Sequence, residues 1–314
     1  MDGMMVIRKE KGYTSHDVVA KLRRILHMKK IGHTGTLDPE AEGVLPVALG
    51  AGTKLVELFT EKEKTYEAVL LLGITTDTQD MTGTVLAQKE VSVDEKEIRD
   101  VVLSFQGPGL QIPPMYSALK VNGKKLYELA REGQQVERRP RPVTFYEIQL
   151  LDMELPRIRI RVTCSKGTYI RTLCHDIGEK LGCGGCMEAL LRTRSGPFTL
   201  ADSYTMAQVE EAASTGQAAD WILPVESLLS DYPAACTTRE GDLLLANGNP
   251  LPESKIRQTA EALVKEEAKK ANRTQLRMYG SNGVFVGLYE WRPEKNAYYP
   301  VKLFFPDALR AVAK

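Results

Sequence analysis

The sequence lacks the features of a membrane protein, a secreted disulfide-bonded protein and a zinc protein. Its 314 residues contain no apolar run of about 18 residues, the length that a membrane-spanning helix needs, and the N-terminus has no apolar signal-peptide segment. The five cysteines are an odd number, which disfavours a complete disulfide framework. Cys183 and Cys186 form one Cys-x-x-Cys pair without a second pair or histidines at ligand spacing. We therefore expect a cytoplasmic protein with reduced thiols and no bound metal.

The sequence also lacks a strong net charge. It carries 42 Lys and Arg against 41 Asp and Glu, which gives a net charge of +1 and a pI of about 7.6. Any nucleic-acid site must therefore be a local basic patch that is balanced by acidic surface elsewhere. Candidate patches are Lys29-Lys30, Lys124-Lys125, Arg138-Arg139-Pro140-Arg141, and the alternating Arg157, Arg159 and Arg161.

Helical and strand patterns are mixed along the chain without a regular βαβ repeat, which favours an α+β fold. Glycines and prolines are dense in residues 106–142, which indicates an irregular insertion with a short helix inside it. The spacing predicts helices over residues 14–27, 92–105, 124–131, 169–181 and 206–213, the first two opened by capping boxes at Thr14 and Ser92. It predicts strands over residues 66–73, 84–87 (as the partner of 66–73), 143–151 and 158–164.

The last part of the chain has a different character. Short strands with turn signals are predicted over residues 275–279, 284–290 and 298–304, and a charged helix over 258–270. We expect two domains: residues 1–231, with the insertion at about 106–142, and a small β-rich domain over 232–314.

One carboxylate stands out in the run from Gly32 to Leu45. Asp38 lies among three glycines and is followed by Pro39, which pushes it out of the helical region. A stiff, non-helical loop of this kind is suited to presenting one acidic group to a ligand. An Asx turn or a helix cap would use the same residue types, so both interpretations stay open on local chemistry alone.

Residues 32–54, which end in Leu49-Gly50-Ala51-Gly52-Thr53-Lys54, resemble the signature of the tRNA pseudouridine-55 synthases, the TruB family. Further blocks agree in order and spacing over about residues 5–200. They are Lys9 with Gly12 to Asp17, Lys64-Thr65-Tyr66, Thr76 to Asp80 with Gly83, Pro113 to Lys120, Cys164 to Arg171, and Ser195-Gly196-Pro197-Phe198.

The resemblance implies a mixed, mostly antiparallel-sheet catalytic domain with an RNA-binding insertion, and a small C-terminal domain similar to a PUA domain. It also implies that uridine 55 in the T loop of tRNA is flipped out and isomerised to pseudouridine. No cofactor is expected, and the sequence has no phosphate-cradling Gly-x-x-x-x-Gly-Lys-Ser/Thr loop. The expected partner is the tRNA T arm; no protein partner is implied, and we expect a monomer.

By resemblance, Asp38 is the catalytic carboxylate that attacks the base or the sugar, and which of the two is left open. Arg171 is the arginine beside it, and Asp80 helps to position that arginine. Tyr66 stacks on the flipped base and is placed to help remove the C5 proton, and Tyr169 is a second stacking residue.

The remaining candidates bind RNA or line the pocket. His33 matches a histidine that supports the flipped-out loop, and Leu190 matches an apolar pocket residue. Tyr116 and Lys120 are expected at the interface that the insertion forms with RNA. Phosphate contacts are expected from Lys9, Lys54, Lys64, Lys120, Lys166 and Arg192. Two positions depart from the family pattern: Glu10 replaces proline and Leu191 replaces arginine.

Two other functions remain open from the sequence. One is an RNA-binding or RNA-folding module whose main activity is not catalytic, and the other is a pseudouridine synthase of a different branch that acts on another RNA. A hydrolytic glycosidase fits less well, because it needs a second positioned carboxylate and Asp80 is assigned to Arg171.

Overall fold

A ten-stranded mixed sheet forms the centre of the larger part of the protein in the computed structural model, which describes residues 1–121, 123–257, 275–305 and 307–309. The strands of this part, including two separate hairpins, are β1 (Gly3–Lys9), β2 (Ile31–His33), β3 (Glu42–Leu49), β4 (Lys64–Leu72), β5 (Ile74–Thr76), β6 (Val85–Gln88), β7 (Gly107–Gln111), β8 (Lys120–Val121), β9 (Lys124–Lys125), β10 (Arg141–Glu154), β11 (Arg157–Cys164), β12 (Gly185–Ser195), β13 (Phe198–Thr199) and β14 (Leu223–Pro224).

Strand β12 occupies the middle of this sheet. The order is β14-β1-β3-β12-β4-β11-β10-β7, with β2 added to β3 and β13 added to β12. Strand β12 runs parallel to β3 over a short stretch and antiparallel to β4 along most of its length. A residue at the middle of β12 therefore touches both neighbours, and this arrangement builds the site described below.

Helices cover the sheet and confirm the α+β class. They are α1 (Ser15–Ile25), α2 (Val56–Thr60), α3 (Glu95–Leu103), α4 (Leu126–Arg131), α5 (Ile170–Lys180), α6 (Met206–Ser214) and, in the C-terminal part, α7 (Arg239–Ala246). None of the helices in the described part of the chain is long and apolar enough to cross a membrane.

The capping box predicted at the start of α1 is confirmed. The Thr14 hydroxyl accepts a hydrogen bond from the Asp17 amide at 3.0 Å, and the Asp17 carboxylate accepts one from the Thr14 amide at 2.8 Å. Val18, Val19 and Leu22 then pack into the core as the helical spacing requires.

The alternation in β11 is also confirmed, but its cationic face is not a free basic patch. Ile158, Ile160 and Val162 are fully buried. On the other face, Arg157 pairs with Glu188, and Arg159 and Arg161 both pair with Glu67. Glu67 on the adjacent β4 and Glu188 on β12, one strand further, thus partly neutralise this row of arginines.

Two local predictions are wrong. Helix α3 is capped by Asp94, whose carboxylate accepts from the Glu97 amide at 2.8 Å, and not by Ser92. Strand β6 pairs with β5 rather than with β4, because the chain turns at Gly73 with a φ of +86° and starts a separate hairpin.

The insertion begins as β7, the edge strand of the main sheet, and continues as a small subdomain. Met115, Leu126 and Leu129 form a core of their own. The β8–β9 hairpin and α4 surround that core, and Arg138 ties the return segment to the start by donating to the Pro113 carbonyl at 3.1 Å. The insertion therefore has an internal structure and is anchored to the sheet through β7 and β10.

The C-terminal part is a five-stranded sheet. Its strands are β15 (Ala234–Cys236), β16 (Leu251–Pro252), β17 (Gln275–Tyr279), β18 (Phe285–Arg292) and β19 (Ala297–Leu303), in the order β15-β17-β18-β19-β16. Phe285 and Phe304 share a core cluster with Met4 and Phe198 of the larger part. This packing joins the two parts through apolar contact. The helix predicted over residues 258–270 lies outside the described residues.

Candidate active site

Asp38 lies on the loop that joins β2 to β3, and Ser15 and Lys9 both hold this loop in place. The Ser15 hydroxyl at the start of α1 accepts from the Leu37 amide at 2.8 Å and faces the Leu37 carbonyl at 3.1 Å. Lys9 donates to the carbonyls of Pro39 at 2.9 Å and Ala41 at 2.6 Å. The residue before and the residues after Asp38 are thus both held, and its carboxylate is presented in a defined position.

Lys9 is fully buried beneath the loop. Burial lowers its pKa to about 8, against the charge of Asp38, which acts to raise it. Its third acceptor is the carbonyl of Glu10 at 3.0 Å. Glu10, which stands where the family pattern has proline, therefore binds Lys9 through its backbone oxygen, whereas its side chain is exposed.

Arg171 joins two carboxylates at the mouth of the site. Its Nη2 lies 3.3 Å from Oδ2 of Asp38, and its Nη1 lies 3.6 Å from Oδ2 of Asp80. The side chains of Arg171 and Asp80 are 6 % and 14 % exposed, whereas that of Asp38 is 40 % exposed. Asp38 is therefore the more accessible carboxylate of this trio, and Asp80 is a largely covered counter-ion.

Asp80 is held by the hairpin loop that carries it. Its Oδ1 accepts from the Thr78 hydroxyl at 2.8 Å and from the Thr82 amide at 3.0 Å. Its backbone forms a bridge to Met187 on β12. With one oxygen bound to its own loop, the carboxylate directs the other towards Arg171.

Arg171 lies in the first turn of α5, two residues after Tyr169, and the insertion contacts both residues. Gln111 at the end of β7 donates to the Tyr169 carbonyl at 3.0 Å and accepts from the Tyr169 amide at 2.8 Å. Arg171 donates to the Tyr116 carbonyl at 2.6 Å and lies 5.7 Å from the centre of the Tyr169 ring. Burial raises the pKa of Tyr169, so its hydroxyl is neutral at neutral pH.

Tyr66 is buried on β4, where it is the cross-strand partner of Arg192 on β12. Burial raises the pKa of Tyr66, and the charge of the Arg192 guanidinium acts against that rise. The negative charge of Asp38 raises the pKa of Tyr66 further. The charge of the loop carboxylate thus reaches the Tyr66 hydroxyl.

The structure corrects the expected phosphate contacts at three positions. Lys9, Lys64 and Arg192 are buried, and each donates to backbone carbonyls. Lys64 reaches the carbonyls of Thr60 and Lys62 at 2.6 and 2.5 Å. The sequence pattern could not show this, because a lysine on an apolar strand and one on a surface loop look alike without the tertiary fold.

Three other lysines in that set are exposed. Lys120 lies on the insertion, Lys166 pairs with Glu61, and Lys54 donates to the Leu303 carbonyl of the C-terminal sheet. Of this set, Lys120 has the position that best suits a contact with a ligand that covers the insertion.

The last two candidates flank the cleft. His33 is half-buried, and burial together with the charge of Arg192 lowers its pKa, so its ring is neutral at neutral pH. Its Nδ1 accepts from the Gly35 amide at 3.4 Å. Leu190 lines a pocket of about 160 Å³ with Ala41 and Asp80. Both residues therefore lie close to the Asp38 loop.

Comparison with known proteins decides the family. Residues 23–170 match the model of the N-terminal domain of the TruB family pseudouridylate synthases, and residues 171–230 match that of the tRNA pseudouridylate synthase B C-terminal domain. A "tRNA pseudouridine synthase B" of Lachnoclostridium phytofermentans is 49 % identical over 97 % of this chain and 100 % of its own length. One of Bacillus pumilus is 39 % identical over 98 % and 99 %.

The chain belongs to the TruB family of pseudouridylate synthases. Solved structures extend this relationship to a different branch. The chain aligns with a Cbf5–Nop10–Gar1 complex at 27 % identity and a TM-score of 0.70, covering 98 % of this chain and 86 % of that one. It aligns with an H/ACA RNP bound to a substrate RNA containing 2'-deoxyuridine at 25 % identity and a TM-score of 0.69, with the same coverage.

Sequence reasoning missed two residues of this TruB-family site. Ser15 is the first residue of α1, and its position is explained by the helix pattern alone. Gln111 lies in an insertion with no periodic pattern. Both act by hydrogen bonding to backbone over 22 and 58 residues of separation. Only a long-range contact reveals such a role, because neither side chain belongs to a chemically distinctive residue type.

Proposed function

We propose that this protein isomerises uridine 55 in the T loop of tRNA to pseudouridine, with Asp38 as the attacking carboxylate. The observation that carries the proposal is the reach of Asp38: it is the half-exposed carboxylate beside a buried Arg171 on the loop that the family match includes. Asp80 is already engaged, so the site supplies one reactive carboxylate rather than the pair that glycoside hydrolysis uses.

The reaction needs no external oxidant or energy source. The N1–C1′ bond of the uridine breaks, the uracil turns, and C5 bonds to C1′. The C5 proton is then lost to a base while N1 gains a proton, so the product is an isomer of the substrate. In our proposal, Asp38 attacks the base or the sugar, Tyr66 helps to remove the C5 proton, and Tyr169 stacks on the flipped base.

Binding of the T arm is assigned to residues around this cleft. His33 supports the flipped-out loop, and Leu190 contributes apolar surface to the base pocket. Lys120, Lys166 and Tyr116 contact the RNA, and the insertion closes over it. We further propose that the enzyme is a cytoplasmic monomer whose catalytic domain spans residues 1–231 and whose PUA-like domain over residues 232–314 adds RNA contacts.

The test compares Asp38→Asn with wild type on a tRNA transcript that carries tritium at uridine C5. Wild type should release one label per tRNA, and Asp38→Asn should release none while binding tRNA with similar affinity. Glu40→Gln, a neutralised exposed carboxylate on the same loop, should behave as wild type. Loss of tRNA binding in Asp38→Asn would contradict the assigned role, and binding by wild type without any release would favour an RNA-folding module.

A further inference from the structure

Arg192 is the largest of the fully buried side chains in the described part of the protein, and it lies at the centre of the active site. On β12 it is the cross-strand partner of Tyr66 on β4 and of Gly43 on β3. It is 1 % exposed. An arginine in such a position is costly unless each of its donors is used.

The Arg192 side chain binds both ends of the loop that carries Asp38. Its Nε donates to the Val44 carbonyl at 2.6 Å, and its Nη2 and Nη1 approach the carbonyls of Gly35 and Thr36 at 3.2 and 3.5 Å. Gly35 and Thr36 precede Asp38, whereas Val44 follows it. The guanidinium therefore closes the loop across its base.

The backbone of Arg192 fits the same loop closely. Gly43 has a φ of +107°, and a Cβ at this position would lie 2.2 Å from the Arg192 carbonyl oxygen. Only glycine allows this approach, so the start of β3, which follows the loop, packs directly against the backbone of Arg192. The loop is thus aligned with β12 by the backbone of Arg192 as well as by its side chain.

We propose that Arg192 is a positioning residue that holds the Asp38 loop and the Tyr66 hydroxyl in one fixed arrangement. The inference rests on the proposed function, and it replaces the phosphate contact expected at this position. The planar fork of arginine is required, because its three nitrogens reach the carbonyls of Val44, Thr36 and Gly35 from separate positions, whereas a lysine at this site places all its donors on one nitrogen and cannot span the base of the loop. As a supporting effect, the buried cation also opposes the rise in the pKa of Tyr66 that burial causes.

The test measures single-turnover label release, tRNA affinity and hydrogen exchange in Arg192→Lys. The matched control is Arg194→Lys, two residues along the same strand, where the guanidinium binds Glu63 and is 33 % exposed. We expect Arg192→Lys to slow release about 100-fold, the loss that a misplaced catalytic group can cause, with unchanged affinity. The hydrogen-exchange rate of the backbone amides in residues 34–45 should rise about tenfold, as expected for one lost hydrogen bond. The control should retain wild-type values.

Two results would overturn the inference. One is a wild-type rate in folded Arg192→Lys. The other is weaker tRNA binding with a salt slope reduced by about one, which is the behaviour of a phosphate contact. If Arg192→Lys does not fold, Arg192→Gln avoids an unpaired buried cation and is judged by the same readouts. If wild type releases no label, the proposed function fails, whereas exchange in the 34–45 segment still decides whether Arg192 holds the loop.

Discussion

Arg171 donates a 2.6 Å hydrogen bond to the Tyr116 carbonyl, which joins the active-site arginine directly to the insertion. The same guanidinium faces Asp38 and Asp80. A movement of the insertion at Tyr116 would therefore change the donor set available to the two carboxylates. In this account, binding of RNA by the insertion and the geometry of the reacting carboxylate are linked through one side chain.

Neutralising Asp80 should reduce the reaction rate more than RNA binding. Asp80→Asn keeps an oxygen for Thr78 and Thr82 but removes the anion 3.6 Å from Arg171. We predict a decrease of about 10- to 100-fold in the single-turnover rate, in the range seen when a supporting residue is lost, and an unchanged tRNA affinity. Asp77→Asn in the same hairpin is the control, and equal losses in both variants would refute the specific role of Asp80.

Removing the side-chain amide of Gln111 should destabilise the contact between the insertion and α5. Gln111→Leu leaves the Tyr169 amide and carbonyl without their partner, which costs about 1–3 kcal/mol of the free energy of unfolding. Chemical denaturation measures this loss. Gln106→Leu, which removes a similar bond to the Ile148 amide, should cost stability without slowing label release. Similar kinetics in both variants would contradict a role of Gln111 in placing Tyr169.

Lys64 should make stability depend on pH in the alkaline range. Burial lowers its pKa from 10.5 to about 8, so between these values the unfolded state binds more protons than the folded state. The free energy of unfolding of wild type, relative to Lys64→Met, should therefore rise as pH increases from about 8 to 10.5. Denaturation curves of both proteins across this range provide the measurement. A difference in the free energy of unfolding that is independent of pH would contradict a lowered pKa of the buried Lys64.

The exposed Lys120 should contribute to the salt dependence of tRNA binding. If it neutralises one phosphate, Lys120→Gln lowers the slope of log affinity against log salt by about one. Lys96→Gln on α3, where the lysine pairs with Asp100, is the surface control and should leave the slope unchanged. Filter binding over a series of salt concentrations measures both, and an unaltered slope in Lys120→Gln would exclude this contact.

Local signals in the sequence were sufficient for much of the fold. The Thr14–Asp17 capping box predicted α1, and the alternation of Ile158, Ile160 and Val162 predicted β11, because both patterns act between near neighbours. The pairing of β6 and the cap of α3 were predicted wrongly. Each depends on where the chain turns, and several polar residues nearby compete for the same role.

The candidate site was only partly predictable for a related reason. The Asp38 loop has a distinctive composition, and resemblance to a known family supplied its companions. The burial of Lys9, Lys64 and Arg192 could not be seen, because whether a cation faces solvent or backbone carbonyls is decided by strands far apart in sequence. Arg192 meets Val44 over 148 residues of separation, and no local pattern records that contact.

The central claim is that this chain converts uridine 55 of tRNA to pseudouridine. Mapping of pseudouridine at single-nucleotide resolution in a full-length tRNA transcript, after incubation with the wild-type protein, tests it most directly. The account predicts complete modification at position 55, none elsewhere, and none with Asp38→Asn. An unmodified transcript, or pseudouridine at a different position, would contradict it.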